Sequence, residues 1–145
     1  MQIGVFGNPD SWYVSRICEA GLARGHLLHR LQFENLQARV TDRAVDIRCG
    51  DVHVTTLDVV VVRTMPPGTL EQVVTRMNLL QIAEQAGVKV VNSPRSLECA
   101  VDKYLTTQRL AMAGLPVPKT VVCESSEAAL VAFEELGRDV VVKPL

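Results

Sequence analysis

The sequence predicts an α/β fold built on a mostly parallel sheet, followed by a shorter, incomplete α+β portion. Three observations predict it. Short β-prone apolar runs alternate with longer runs of helical periodicity through residue 92, the order that produces a parallel sheet with covered faces. Residues 58–62 open on Asp58 and continue as four valines without alternation, which suits a strand buried on both sides. After Asn92-Ser93-Pro94 the pattern changes to two helical runs in succession.

Residues 2–6 are short, apolar and β-prone, and Gly7-Asn8-Pro9-Asp10 ends them with turn residues. Ser11 is placed to cap a helix in which Val14, Ile17, Cys18, Gly21 and Leu22 recur as one buried stripe. Arg24-Gly25 closes that helix, with Gly25 as the left-handed residue, and a strand follows over residues 27–31. Residues 44–47 and 52–56 are β-prone runs around Cys49-Gly50-Asp51, and the Gly50-Asp51 turn signal makes them a hairpin. Beyond the central strand at 58–62, residues 69–86 read as an amphipathic helix carrying Leu70, Val73, Val74, Met77, Leu80 and Ile82. Gly87 terminates it, and residues 88–91 are the next strand. The order is β-α-β-hairpin-β-α-β, a small Rossmann-like unit over residues 1–92.

The remainder, residues 93–145, reads as a separate domain that begins here. A short helix is expected over 97–100 and a longer one over 102–113, ended by Gly114 and the prolines at 116 and 118. A strand is expected over 119–123. Ser125 or Ser126 caps a helix through Leu136, with Glu127 in its first turn, where the helix dipole favours a carboxylate. Gly137 ends it, and residues 139–143 are expected as a last apolar strand. About fifty residues with two strands make a marginal domain on their own. The chain is thus expected to stop where a fold should continue.

Composition narrows the function. The chain is 48% hydrophobic and 21% charged, with a formal net charge of −1, which offers no electrostatic case for nucleic acid or an anionic membrane. Aromatic residues at 4% are too sparse for a base-stacking surface. Cys18, Cys49, Cys99 and Cys123 are irregularly spaced, with no CxxC pair, so free thiols are expected rather than a zinc site or a disulfide framework. The first residues carry neither a basic leader nor a long apolar run, which points to the cytoplasm.

Three cations stand where chemistry is plausible. Arg63 directly follows the central apolar run, and ligands of open α/β sheets bind outside the carboxyl ends of strands. Its planar fork suits a carboxylate or phosphate, and pairing with Asp58 or Glu71 is an equally good account. Lys103 opens a helix, against the dipole. Lys143 ends the Val140-Val141-Val142 run just before Pro144, so it either snorkels to solvent or points at an anion. Taken singly, each lysine is better read as a solvated charge. His26 and His29 have no carboxylate at useful spacing and read as surface or interface residues. Gly4 and Gly7 lack the third glycine of a dinucleotide fingerprint. Ser93 and Ser96 have no identifiable base, so nucleophilic catalysis is not supported.

Five segments together go beyond a generic α/β pattern. They are Val61-Val62-Arg63-Thr64-Met65-Pro66-Pro67-Gly68, Val90-Val91-Asn92-Ser93-Pro94-Arg95-Ser96 and Asp102-Lys103-Tyr104-Leu105-Thr106-Thr107, then Ala113-Gly114-Leu115-Pro116-Val117-Pro118-Lys119-Thr120 and Val141-Val142-Lys143-Pro144-Leu145. In this order they resemble the RimK-like glutamate-ligase branch of the ATP-grasp superfamily. The resemblance implies a pre-ATP-grasp domain over residues 1–92 and the beginning of the ATP-grasp domain over 93–145. It implies that Lys103 and Lys143 contact ATP phosphates and that Arg63 lies on the substrate side. It implies no catalytic residue and no metal ligand within this stretch. The implied reaction is ATP-dependent ligation of an amine, typically that of glutamate, to a carboxylate of a small molecule, a cofactor or a protein tail, with magnesium. A homo-oligomer is left open. The glycine-rich loop, adenine-binding strand and magnesium carboxylates of the family would follow Leu145, so these residues alone are expected to be inactive. A non-catalytic α/β binding or assembly module is the alternative.

Overall fold

The computed structural model describes residues 1–42 and 44–143, in two compact units, Met1–Leu97 and Glu98–Leu145. The first holds both sheets. Strands β1 (Gln2–Phe6), β2 (Leu27–Leu31), β6 (Val59–Val62) and β7 (Lys89–Val91) form a wholly parallel sheet in the order β2-β1-β6-β7. Strands β3 (Leu36–Val40), β4 (Val45–Cys49) and β5 (Val52–His53) form a small antiparallel sheet. The fold is therefore mixed α/β, with a parallel main sheet and a second, small antiparallel one.

Alternation along the central strands sorts their side chains onto two cores. Val5 and Val61 face one way, where they meet Val14, Ile17 and Cys18 of helix α1 (Trp12–Leu22). Phe6, Val60 and Val62 face the other way, into a larger cluster with Leu31, Phe33, Ile47, Val54, Leu80 and Ala83. Helix α2 (Leu70–Gln85) and the β3-β4-β5 sheet supply that second cover. Both faces of the sheet are thus apolar, so an unbroken valine run is the stable sequence for β6. Gly4 on β1 permits close packing: a Cβ there would stand 2.6 and 2.7 Å from Cδ1 of Leu31 and Leu57.

The caps follow local chemistry. The Ser11 hydroxyl accepts from the Val14 N–H at the start of α1. At α2, Thr69 and Gln72 form a reciprocal capping box, with the Thr69 N–H donating to Gln72 Oε1 at 3.0 Å. Gly25, Gly50, Gly87 and Gly137 all take positive φ, as helix ends and the hairpin turn require.

Three expectations of the first unit need correction, and one strand was not among them. Leu22 is exposed rather than part of the α1 stripe, and so are Leu70 and Val74 of α2. Burial in α2 is confined to its second half at Leu80 and Ala83, because helical spacing buries a residue only where a layer faces it, and α2 packs on β7. The hairpin run after Gly50-Asp51 is shorter than expected, since residues 54–56 form a 3-10 turn instead of continuing the strand. Finally, β3 was missed, although Leu36-Gln37-Ala38-Arg39-Val40 alternates apolar and polar residues with period two.

The second unit is helical. Helix α3 (Pro94–Val101) begins in the first unit, with Pro94 at its first position. Helix α4 (Lys103–Met112) is capped by Asp102, whose Oδ1 accepts from the Leu105 N–H at 2.8 Å. Helix α5 (Ser126–Glu135) is capped by Ser125. The strands expected at 119–123 and 139–143 do not form. An extended segment becomes a strand only when a neighbour takes up its N–H and C=O groups, and no described residue pairs with either. The apolar residues of the last run are accordingly exposed, Val141 at 82% and Val142 at 87%. Pro144 and Leu145, which complete the last family-like segment, lie outside the described residues.

All four cysteines are free thiols; Cys18 and Cys49 are buried, and Cys99 and Cys123 are half-buried. Burial pushes the Cys49 thiol up, and its Sγ donates to the Gln32 carbonyl at 3.2 Å. Because the thiolate is the nucleophile, alkylation with iodoacetamide under native conditions should modify Cys99 and Cys123 first. Peptide mass mapping against time checks this; Cys49 reacting as fast as Cys123 would contradict the described packing.

Candidate functional site

Strand order creates the site. From β1 the chain crosses to β2 on one side, then returns to lay β6 and β7 on the other. The connections leaving β1 and β6 therefore diverge, and a crevice opens outside the carboxyl ends of these two strands. The β1 exit is Gly7-Asn8-Pro9, and the β6 exit runs from Arg63 to Gly68. The two exits are tied together by the Phe6 carbonyl, which accepts from the Arg63 N–H at 2.8 Å and from the Thr64 N–H at 3.4 Å. A Cβ on Gly7 would come within 2.6 Å of Val14 Cγ2, so glycine is what lets the β1 exit pass close over α1.

Beside these exits lies a cleft of about 360 Å³, lined by residues 7–9, 32–34 and 64–67. Its floor is Phe33, which is buried and stacked on Phe6 with ring centroids 4.3 Å apart. Arg76 of α2 braces one wall, donating to the Pro66 carbonyl at 2.7 Å while its guanidinium lies 5.7 Å from the Phe33 ring centroid. Among the lining residues the only charge is Glu34, so the cleft itself is apolar with a polar, mildly acidic rim.

Arg63 stands at the predicted strand end but does not line this cleft. Its side chain is exposed and stacks on helix α1, with the guanidinium carbon 4.3 Å from the Tyr13 ring centroid. Neither alternative partner takes it. Asp58 accepts from the Gln2 N–H at 2.6 Å, at the other end of the sheet. Glu71 sits in the first turn of α2, where a hydrogen bond from Thr69 holds its carboxyl below the usual value. Among the described residues no carboxylate pairs with Arg63.

The two lysines lie in the second unit. Lys103 is the first residue of α4 and is exposed. Lys143 is exposed in the extended segment after α5. The groove of about 350 Å³ in this unit, between α4 and residues 117–120, is lined by neither lysine. Ser93 and Ser96 belong to the start of α3: the Ser93 hydroxyl accepts from the Ser96 N–H and lies 2.9 Å from the Ser96 hydroxyl. His29 on β2 is half-buried, with Nε2 enclosed and without a hydrogen-bond partner among the described residues, rather than a surface group. No group of three or more His, Cys, Asp or Glu side chains converges among the described residues, so they supply no magnesium cage. No helix among them is long and apolar enough to cross a membrane.

Sequence reasoning missed the residues that build the cleft, above all Phe33 and Arg76, because they come together only in three dimensions. It also missed Trp12 and Tyr13, whose adjacency in the first turn after the β1 exit was a usable signal.

Comparison with known proteins bears on this geometry. The model of the RimK pre-ATP-grasp domain matches residues 1–97. A tetrahydromethanopterin:alpha-L-glutamate ligase of Methanosarcina acetivorans is 34% identical over 142 residues, covering 95% of this chain and 44% of that protein. A glutathione synthetase of Pseudomonas aeruginosa is 34% identical over 127 residues, covering 88% of this chain and 37% of that protein. A solved RimK domain protein of Sphaerobacter thermophilus superposes with a TM-score of 0.72 at 23% identity, over 94% of this chain and 46% of that one, which shows likeness of fold. The chain spans less than half the length of these two curated relatives.

Proposed function

The chain belongs to the RimK-like ATP-grasp family, and from that premise we propose that it is the front part of an ATP-dependent carboxylate–amine ligase that adds glutamate. The proposed division runs between residues 92 and 93, with a substrate-side pre-ATP-grasp domain before it and the beginning of the ATP-grasp domain after it. In the proposed reaction the terminal phosphoryl group of ATP passes to a substrate carboxylate and ADP leaves. The amine of glutamate then attacks the acyl phosphate, forming an amide and releasing phosphate and a proton. Such catalysis is mostly positioning and neutralisation of phosphoryl oxygens. Magnesium would supply part of that neutralisation in the whole enzyme; the residues described here hold no set of ligands for it, and no step is assigned to it.

The observation that carries this reading is the crevice outside β1 and β6, with the guanidinium of Arg63 unclaimed by any described carboxylate beside it. Arg63 is assigned to a substrate carboxylate, and Lys103 and Lys143 to ATP phosphates. The acceptor is a small-molecule or cofactor carboxylate, or a protein tail.

The test is an assay of the full-length protein with ATP, magnesium, glutamate and a panel of acceptors comprising a protein tail, a pterin, a deazaflavin and an amino acid. ADP release that depends on both glutamate and one acceptor is expected, with the amide detected by mass spectrometry. If no acceptor elicits ADP release, the ligase reading fails and a non-catalytic binding module takes its place.

Residues 1–145 alone are expected to bind ATP no better than millimolar. Two charge-assisted contacts contribute about 3–6 kcal/mol together, whereas association costs about 4–15 kcal/mol. Calorimetric titration checks this, and micromolar affinity would contradict it.

A further inference from the structure

The first turn of α1 carries the chain's one tryptophan and one of its two tyrosines, and the core uses neither. Trp12 is 66% and Tyr13 54% exposed, and their rings meet edge to face with centroids 5.2 Å apart. Exposed aromatic rings are an uncommon expense in a chain with so few of them. Arg16 and Arg63 lie against these rings, and Arg30 reaches the neighbouring Pro9 and Ser15. Arg16 is 5.8 Å from the Trp12 ring centroid and pairs with Glu19 at 2.7 Å. Arg30 donates to Ser15 Oγ at 3.1 Å and to the Pro9 carbonyl at 3.4 Å.

Arg63 differs. Its guanidinium sits 4.3 Å from the Tyr13 ring centroid, and no described group accepts from its N–H donors. Contact with a ring engages the π surface of a guanidinium and leaves its in-plane donors available. One such fork matches the two oxygens of one carboxylate.

We propose that Tyr13 is a positioning residue: it holds the guanidinium of Arg63 so that its donor edge receives a carboxylate on a short aliphatic stem, with Trp12 as the flat wall beside that stem. This deepens the assignment of Arg63 made above and rests on it. Tyr13 does not touch the reacting atoms; it orders a side chain that would otherwise sample many rotamers in solvent.

Trp12 gives the one indole N–H signal of the 145-residue chain, so ¹H–¹⁵N spectra report on the site directly. The probes are glutarate and its neutral isostere glutaramide, titrated at constant ionic strength. Glutarate should shift the Trp12 indole and Arg63 Nε–H signals along a saturable curve, and glutaramide should not. Tyr13→Phe keeps the ring face and should bind like the parent. Tyr13→Leu should retain the native backbone spectrum but weaken glutarate by about two- to fivefold, the fold-change that an exposed cation–π contact corresponds to. Equal binding by Tyr13→Leu and the parent, with Arg63→Lys losing glutarate, overturns the role of Tyr13 and leaves Arg63 standing. Unchanged glutarate binding in Arg63→Lys, or glutaramide binding as well as glutarate, overturns both.

Discussion

Phe6→Ala is expected to cost the first unit about 3–5 kcal/mol, the range for deleting a fully buried aromatic ring. Phe6 is 0% exposed, sits at the end of a central strand and stacks on Phe33. Its ring is also out of reach of any compensating shift, because the β1 and β6 backbones are tied at this point by the Arg63 N–H to Phe6 carbonyl hydrogen bond. A domain of this size holds only about 5–15 kcal/mol in total. The loss should therefore lower the midpoint of thermal unfolding by more than about 10 °C. Phe33 would lose its stacking partner at the same time, so the cleft floor should loosen along with the core. Phe6→Leu keeps most of the apolar volume and should recover most of the stability. Melting curves by circular dichroism decide the matter; a Phe6→Ala protein that melts within about 3 °C of the parent would contradict the packing described here.

Lys143→Ala is the second large effect, read on turnover rather than stability. Lys143 is exposed and no described strand depends on it, so the variant should fold like the parent. In the full-length ligase its ammonium is assigned to a phosphate of ATP. Losing one charge-assisted contact of about 1.5–3 kcal/mol should lower kcat/KM for ATP about 10- to 150-fold. Lys143→Arg keeps the charge but not its compact shape, and should fall between the two. Steady-state kinetics with ATP varied would check this, and turnover unchanged in the alanine variant removes Lys143 from the ATP site.

Much of the first unit was legible because its signals are local. The valine run of β6, the Ser11 cap of α1 and the positive-φ glycines each depend on a few neighbouring residues. Strand β2 matches the expected residues 27–31, and the Gly50-Asp51 turn joins β4 to β5 as expected. The errors have a common origin in neighbours that the local pattern does not reveal. Leu70 and Val74 have helical spacing but no layer opposite them. Residues 140–142 are three valines like those of β6, yet no described strand pairs with them. Legibility of the site was similar. Arg63 could be placed at a strand end from its position after residues 58–62, whereas its stacking on Tyr13, fifty positions earlier in the chain, could not.

The amino-acid sequence by itself determined the order of strands and helices in the first unit, the caps that bound them and the family to which the chain belongs. Those follow from hydrophobic period, turn chemistry and motif, which are properties of short stretches. Only the tertiary structure decided which side chains face the same space: that Phe33 floors the cleft, that Arg76 is spent on Pro66, and that Arg63 leans on an aromatic ring instead of a carboxylate. The physical reason is that a side chain's chemistry depends on its partners. Parallel sheets recruit those partners from distant segments through crossover connections, so pattern along the chain does not specify them.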